Sequence, residues 1–184
     1  LVFYLSFDEK KLDADMSQGF GTCLKKADFG SDEFMNGYNG KFAYVRKTRE
    51  VPFYTLKNNI NLKEGTISIW INPVDWADQK SVYFFHVYSQ SQNKTWVILS
   101  IYAVNYNHDI YASMQCTKDA DRSFEYAAAP KTKIPDGEWS KIDFSWSSSG
   151  LVIYLNGQKE SEKNIPKMYS TVINEKHNGN FFIA

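Results

Sequence analysis

A periodicity of two constrains this chain most. In Gly65 to Pro73, GTISIWINP, isoleucine takes every second place, Trp70 lies among polar residues on the opposite side, and Asn-Pro ends the run. Side chains alternate along a strand. Ile67, Ile69 and Ile71 are therefore predicted to enter a core, with Thr66, Ser68, Trp70 and Asn72 facing away. Pro73 has no N–H to give a ladder and disfavours helical geometry at Asn72, so the strand stops and a loop, VDWADQKS, begins. Trp70 then lies either under a covering loop or in a ligand groove. The same alternation returns at Ile142, Phe144 and Trp146 against Lys141, Asp143 and Ser145. Ser147-Ser148-Ser149-Gly150 turns that strand back, and Asn156-Gly157 suits a type I′ hairpin, whose two central residues need positive φ.

Elsewhere helical periodicity is scarce, and short β-branched and aromatic runs alternate with Gly, Asn, Asp, Pro or Ser clusters. Strands are expected at Val2 to Asp8, Phe42 to Val45, Pro52 to Leu56, Thr66 to Asn72, Val82 to Tyr88 and Thr95 to Ala103. Further ones fall at Asp109 to Gln115, Ser123 to Ala127, Trp139 to Ser147, Leu151 to Asn156 and Asn180 to Ile183, with a short one after Gly157. The chain is read as all-β, an antiparallel two-sheet sandwich with few or no helices. With 184 residues and no repeat, linker or composition shift, a single domain over 1–184 is expected.

Composition removes several functions. Lys plus Arg and Asp plus Glu are 21 each, so no net field draws nucleic acid or an anionic membrane surface. No apolar run is long enough to span a bilayer, so membrane insertion is not expected. The opening LVFYLSFD has no basic n-region or cleavage motif, and any targeting segment is expected to lie outside these residues. Cys23 and Cys116 have no histidine at metal-ligand spacing, the three histidines being His86, His108 and His177. A Cys23–Cys116 disulfide and two separate thiols both stay open. Aromatics make up 16% of the chain, with 13 Phe, 12 Tyr and 5 Trp. Such residues suit pleated sheets and also form flat ligand platforms.

Three segments in order, NGYNGKFAYV, LKNNINLKEGTISIWINP and DGEWSKIDFSW followed by GLVIYLNGQ, resemble the laminin-G-like branch of the concanavalin A-like lectin and glucanase superfamily. Gly40-Lys41-Phe42 fits the family's Gly-Lys-Phe before a strand. Gly65 to Pro73 fits its Gly-Thr-Ile-Ser-x-Trp-x-x-Pro strand, and Trp139 to Gly157 its Trp-x-x-Ile/Val strand leading to Tyr-Leu/Val-Asn/Asp-Gly. The resemblance covers nearly the whole chain. It implies a jelly roll of two curved sheets with one concave face, and no particular activity, because lectins, adhesion modules and glycoside hydrolases share it.

Retaining glucanases of the superfamily carry Glu-x-Asp-x-Glu or Glu-x-Asp-x-x-Glu on one strand, which holds acid and nucleophile about 5 Å apart. No such run occurs here, and Asp13/Asp15, Asp75/Asp78 and Asp119/Asp121 read as solvated loop charge. No Gly-x-Ser-x-Gly elbow is present either, and no catalytic residue is assigned. Relatives often hold calcium with loop carboxylates, which makes Ca2+ the cofactor the resemblance brings in. Asp13-x-Asp15-x-Ser17 lacks the glycine and the last acid of an EF-hand loop. Asp8, matching the family's acidic position at the end of the first strand, is the metal candidate beside its alternative as a strand-end cap or salt bridge.

Sugars present apolar C–H patches edged by hydroxyls, so they need aromatic faces beside planar polar groups. Trp76, Trp96, Tyr102, Tyr106 and Tyr111 occur with Asn105, Asn107 and Asp109 in one stretch. Trp76, Trp96, Tyr102, Tyr106, Asn107, Asp109 and Tyr111 are the ligand-binding candidates, against the simpler reading that Tyr102 and Tyr111 cover the sheet. Asn93-Lys94-Thr95 is an N-glycosylation sequon. The expectation is a non-catalytic extracellular or cell-surface binding module for carbohydrate or glycoprotein, beside other domains of a larger protein. A laminin-G-type protein adhesion module is the alternative, and a glycoside hydrolase is disfavoured by the missing carboxylates. The family continues past a segment such as NGNFFIA into one more strand, so the chain is expected to lack its final strand.

Overall fold

The structure is a computed structural model, which describes residues 3–6, 12–24, 34–37, 40–43, 51–73, 81–104, 109–117, 123–128, 133–165 and 170–183. The regular structure of the described residues is nearly all strand. Short strands β1 (Phe3–Tyr4) and β2 (Met16–Ser17) pair with each other, as do β3 (Phe34–Gly37) and β4 (Gly40–Ala43). Then come β5 (Phe53–Thr55), β6 (Gly65–Ile71), β7 (Ser81–Ser91), β8 (Trp96–Val104), β9 (Asp109–Thr117) and β10 (Ser123–Ala128). They are followed by β11 (Ser140–Trp146), β12 (Gly150–Leu155), β13 (Gln158–Asn164), a helical turn α1 (Ser170–Ile173) and β14 (His177–Ile183). One sheet has six strands in the order β10-β9-β8-β7-β14-β5, and the other has four in the order β13-β12-β11-β6. All their pairings are antiparallel.

Each sheet puts one face of its alternating side chains into a shared core. Ile67, Ile69 and Ile71 do turn inward, and Ile69 and Ile67 stand in register with Ile142 and Phe144, which stand in turn beside Leu155 and Ile153. The six-stranded sheet answers with Val87, Leu99, Ile101, Ile110, Met114 and Phe181, all at 0–1% exposure. Burying one such side chain contributes about 1.5–3 kcal/mol, so this shared layer dominates stability. The predicted hairpin forms at Asn156 (φ 50) and Gly157 (φ 82), and the Asn156 side chain also accepts the Lys141 N–H at 2.8 Å. Gly65 is required by packing, since a Cβ there would meet the Trp146 ring at 2.5 Å. That ring donates its indole N–H to the Asn61 carbonyl at 2.9 Å.

Among residues 3–6 and 12–24 little strand forms. The expected strand Val2 to Asp8 is a strand in its described part only at Phe3–Tyr4, which pair with Ser17 and Met16. Packing decides this. The Phe3 ring stands edge-on to Tyr54 (4.9 Å) and Phe181 (5.0 Å), so the segment plugs the end of the six-stranded sheet. Tyr54 donates its hydroxyl to the Leu12 carbonyl at 2.5 Å. Burial, with Cys23, Asp13 and Asp15 nearby, pushes its pKa far above the ordinary phenol value. Asn59, fully buried, accepts the Gly19 N–H and donates to the Phe20 and Thr55 carbonyls, tying residues 19 and 20 to the loop after β5. Asp13 and Asp15 accept the backbone N–H groups of Cys23 and Ser6, which is structural capping of a loop.

The cysteines are not bridged, and both are buried. Leu24 donates its N–H to the Phe53 carbonyl, which places Cys23 beside β5, whereas Cys116 is on β9. Four strand spacings separate β9 from β5, roughly 19 Å against the ~7 Å a disulfide can span. Burial pushes the Cys116 thiol up to about 12.

Candidate ligand-binding face

Turned away from the core, the outer face of the six-stranded sheet gathers the aromatic residues the core does not use. Its assembly depends on an irregularity in β7. Strict alternation would put Tyr83 inside with Phe85 and Val87, and Phe84 outside with His86 and Tyr88. The register against β8 shifts between Tyr83 and Phe85, as a β-bulge does. Phe84 and Phe85 are consequently both buried, at 6% and 0% exposure, and Tyr83 emerges beside His86 at 37%.

With that shift the outer face resolves into rows across the strands. Tyr83, Tyr102 and Tyr111 are in register on β7, β8 and β9. Their rings form a ladder, with centroids 5.4 Å apart at 30° and 5.6 Å apart at 21°. In the next row Phe53, Phe182, His86, Ser100 and Ser113 span β5, β14, β7, β8 and β9. His86 stacks on Phe182 at 5.2 Å, and its Nδ1 shares a 2.8 Å hydrogen bond with Ser100 Oγ. Ser100 and Ser113, almost fully buried, form the floor between taller neighbours. A third row holds Asn180, Tyr88, Ile98 and Gln115, and a fourth Asn178, Gln90, Trp96 and Thr117. Tyr88, 44% exposed, lies 4.7 Å from the Trp96 ring.

Upright rings in a ladder cover one another's faces and offer edges and hydroxyls outward. The Tyr83–Tyr102–Tyr111 ladder is thus a hydrogen-bonding rail, and Tyr88, tilted at 46° against Trp96, is the most exposed ring described on this face. Burial lowers the His86 pKa, so the imidazole is uncharged at neutral pH. Beyond Trp96, the β7–β8 turn is braced by Ser91 to Thr95 (2.6 Å) and by the Thr95 hydroxyl donating to the Glu175 carboxylate (2.7 Å). Those hydroxyls hold Glu175 below the usual carboxylate range. The sequon residue Asn93 is exposed on this turn.

Of the residues singled out from sequence, Trp96, Tyr102, Asp109 and Tyr111 all occupy this face. Tyr102 and Tyr111 stack on each other, and Trp96 is half-buried on the outer side rather than between the sheets. Trp96 and Tyr102 are six residues apart on β8, about 20 Å. Asp109 stands at the margin in register with Val104. Trp76, Tyr106, Asn107 and the metal candidate Asp8 lie outside the described residues, and no cluster of metal-ligating side chains occurs among the described ones. Sequence reasoning did not find Phe53, Tyr83, His86, Tyr88 and Phe182. A bulge hides Tyr83, and Phe182 reaches His86 only through pairing of strands 96 residues apart in the chain.

The four-stranded sheet's outer face is of another kind, with Thr66 bonded to Ser145 at 2.9 Å and Lys141 paired with Asp143 at 3.1 Å. Trp70 is 44% exposed there. A further cleft of about 470 Å³ is lined by Gln18, Asn58, Asn59, Ile60 and Asn61.

Comparison with known proteins agrees with this architecture. The laminin-G family model of the concanavalin A-like lectin/glucanases superfamily matches residues 46–184. No curated protein matches the chain. Domain 4 of an extracellular arabinanase from Geobacillus stearothermophilus, solved in complex with arabinotriose, is similar with a TM-score of 0.60 and 16% identity, over 99% of this chain and 81% of that one. Domains LG4-5 of the mouse laminin α1 chain are similar with a TM-score of 0.53 and 10% identity, over 72% of this chain. The chain spans 31% of that laminin chain. At such identities the likeness shows the fold. An all-β jelly-roll sandwich matched by that family model over most of its length belongs to the laminin-G-like branch of the concanavalin A-like lectin/glucanase superfamily.

Proposed function

We propose that this domain is a non-catalytic carbohydrate-binding module whose ligand lies on the outer face of the six-stranded sheet. One observation carries the reading: the Tyr88–Trp96 surface, the tyrosine rail and four amide side chains share a single face of a rigid sheet. Pyranose and furanose rings stack their C–H patches on aromatic faces, and amides bind the flanking hydroxyls. The arabinotriose complex of the similar arabinanase domain supports the same class of ligand. The lack of a Glu-x-Asp-x-Glu or Glu-x-Asp-x-x-Glu run in the sequence supports a non-catalytic role. An extracellular or cell-surface setting, within a larger protein, is part of the proposal.

A glycan array probed with and without calcium tests it. Binding to glycans that survives chelation is expected. Loss of all signal on chelation would instead make Ca2+ a required cofactor and would turn attention to Asp8. An absence of glycan signal, with retained binding to a protein, would favour laminin-type adhesion.

A further inference from the structure

We propose that the ligand is an uncharged, hydroxyl-rich glycan chain, and that uronate-bearing or sulfated glycans are rejected by the same face; this rests on the carbohydrate reading above. The polar groups presented there are amides and hydroxyls. Gln90, Gln115, Asn178 and Asn180 lie in the two rows that flank and contain Tyr88 and Trp96. Among the described residues no lysine or arginine occupies an outward position of this sheet, although the whole chain has 21 of them. Among the described side chains the outward charge is acidic, Asp109 at one margin. His86 is the one described group there that could become a cation, and it is uncharged at neutral pH, wedged between Phe182, Tyr83 and Ser100.

Ligand chemistry follows from what such groups can satisfy. An amide or hydroxyl both donates and accepts, and so does a sugar hydroxyl, so each partner finds its complement. A carboxylate or sulfate accepts only. Seated over a floor as buried as Ser100 and Ser113, it would shed water with no cation opposite among the described residues of the sheet.

Affinity electrophoresis of the full chain in gels containing single polysaccharides tests the inference, with arabinan, mixed-linkage glucan and xylan as neutral probes and polygalacturonate, alginate and heparin as anionic ones. Retardation by at least one neutral polymer and by none of the anionic ones at physiological salt is the expected result. Retardation by an anionic polymer that fades as salt rises overturns the inference while leaving the carbohydrate reading intact. Retardation by none of the six overturns both. The Asn180→Lys variant, at an exposed position of β14 and checked for an unchanged thermal midpoint, locates the effect: neutral binding falls at least threefold and heparin retention appears. Unchanged neutral binding by that variant would place the ligand elsewhere and overturn the assignment to this face.

Discussion

The two sheets contribute to one core and yet present opposite outer faces. On the four-stranded sheet the outward residues are those any sheet uses to meet water: Thr66 bonded to Ser145, Lys141 paired with Asp143, and a charged edge strand from Gln158 to Asn164. On the six-stranded sheet they are Tyr83, His86, Tyr88, Trp96, Tyr102 and Tyr111, with amides between. Cross-strand aromatic pairs stabilise a sheet by roughly 0.2–1 kcal/mol each, but half-exposed rings also cost solubility and invite association. The comparison therefore favours the aromatic face for the proposed ligand, since the described outward aromatics of the other sheet are only Trp70 and Tyr154.

Changes to the layer shared by both sheets should have the largest effect. Phe144→Ala empties a fully buried position and should cost about 3–5 kcal/mol in urea denaturation, whichever face is then tested. Gly179→Ala separates the faces. Its Cβ would lie 2.0 Å from the Tyr88 carbonyl oxygen and must push β14 from β7. We expect roughly 1–3 kcal/mol of destabilisation together with weakened glycan binding, since Tyr88 moves with the strand.

Smaller effects discriminate the faces more sharply. Tyr88→Ala or Trp96→Ala should weaken glycan binding by about 1 kcal/mol or more, read by calorimetry, with little change in the thermal midpoint. Trp70→Ala should leave that affinity unchanged, and an equal loss there would abolish the distinction between the sheets. The pH dependence is subtler. Burial depresses the folded pKa of His86 below its ordinary 6.5, so the unfolded chain binds more protons between those two values. Stability from this group is complete above pH 6.5 and is lost as pH falls through that window. A His86→Phe variant should flatten the slope of the urea midpoint against pH there.

Much of this was legible in the residues themselves. The isoleucines of β6 and the Ile142–Phe144–Trp146 set alternate without interruption, and Asn156-Gly157 adopts the turn its positive φ preference demands. The candidate face was legible only in part. Trp96, Tyr102, Asp109 and Tyr111 are near neighbours in sequence on an adjacent strand pair, so local reading reached them. Tyr83 was hidden because one bulge residue reverses the side on which it emerges, and alternation has no signal for a bulge. Phe53 and Phe182 join the face through long-range pairing with no local trace. The N-terminal segment was legible only in part: Phe3 and Leu5 both pack against the core, Phe3 on the Tyr54–Phe181 stack, but the described strand is short.

The indole N–H resonances of the tryptophans test the central claim most directly. Assigned by single Trp→Phe substitutions and followed while the chain is titrated with a neutral oligosaccharide that it binds, the Trp96 signal should shift to saturation and the Trp70 signal should stay in place. A saturating shift at Trp70 with an unmoved Trp96 would put the ligand on the four-stranded sheet and contradict the account.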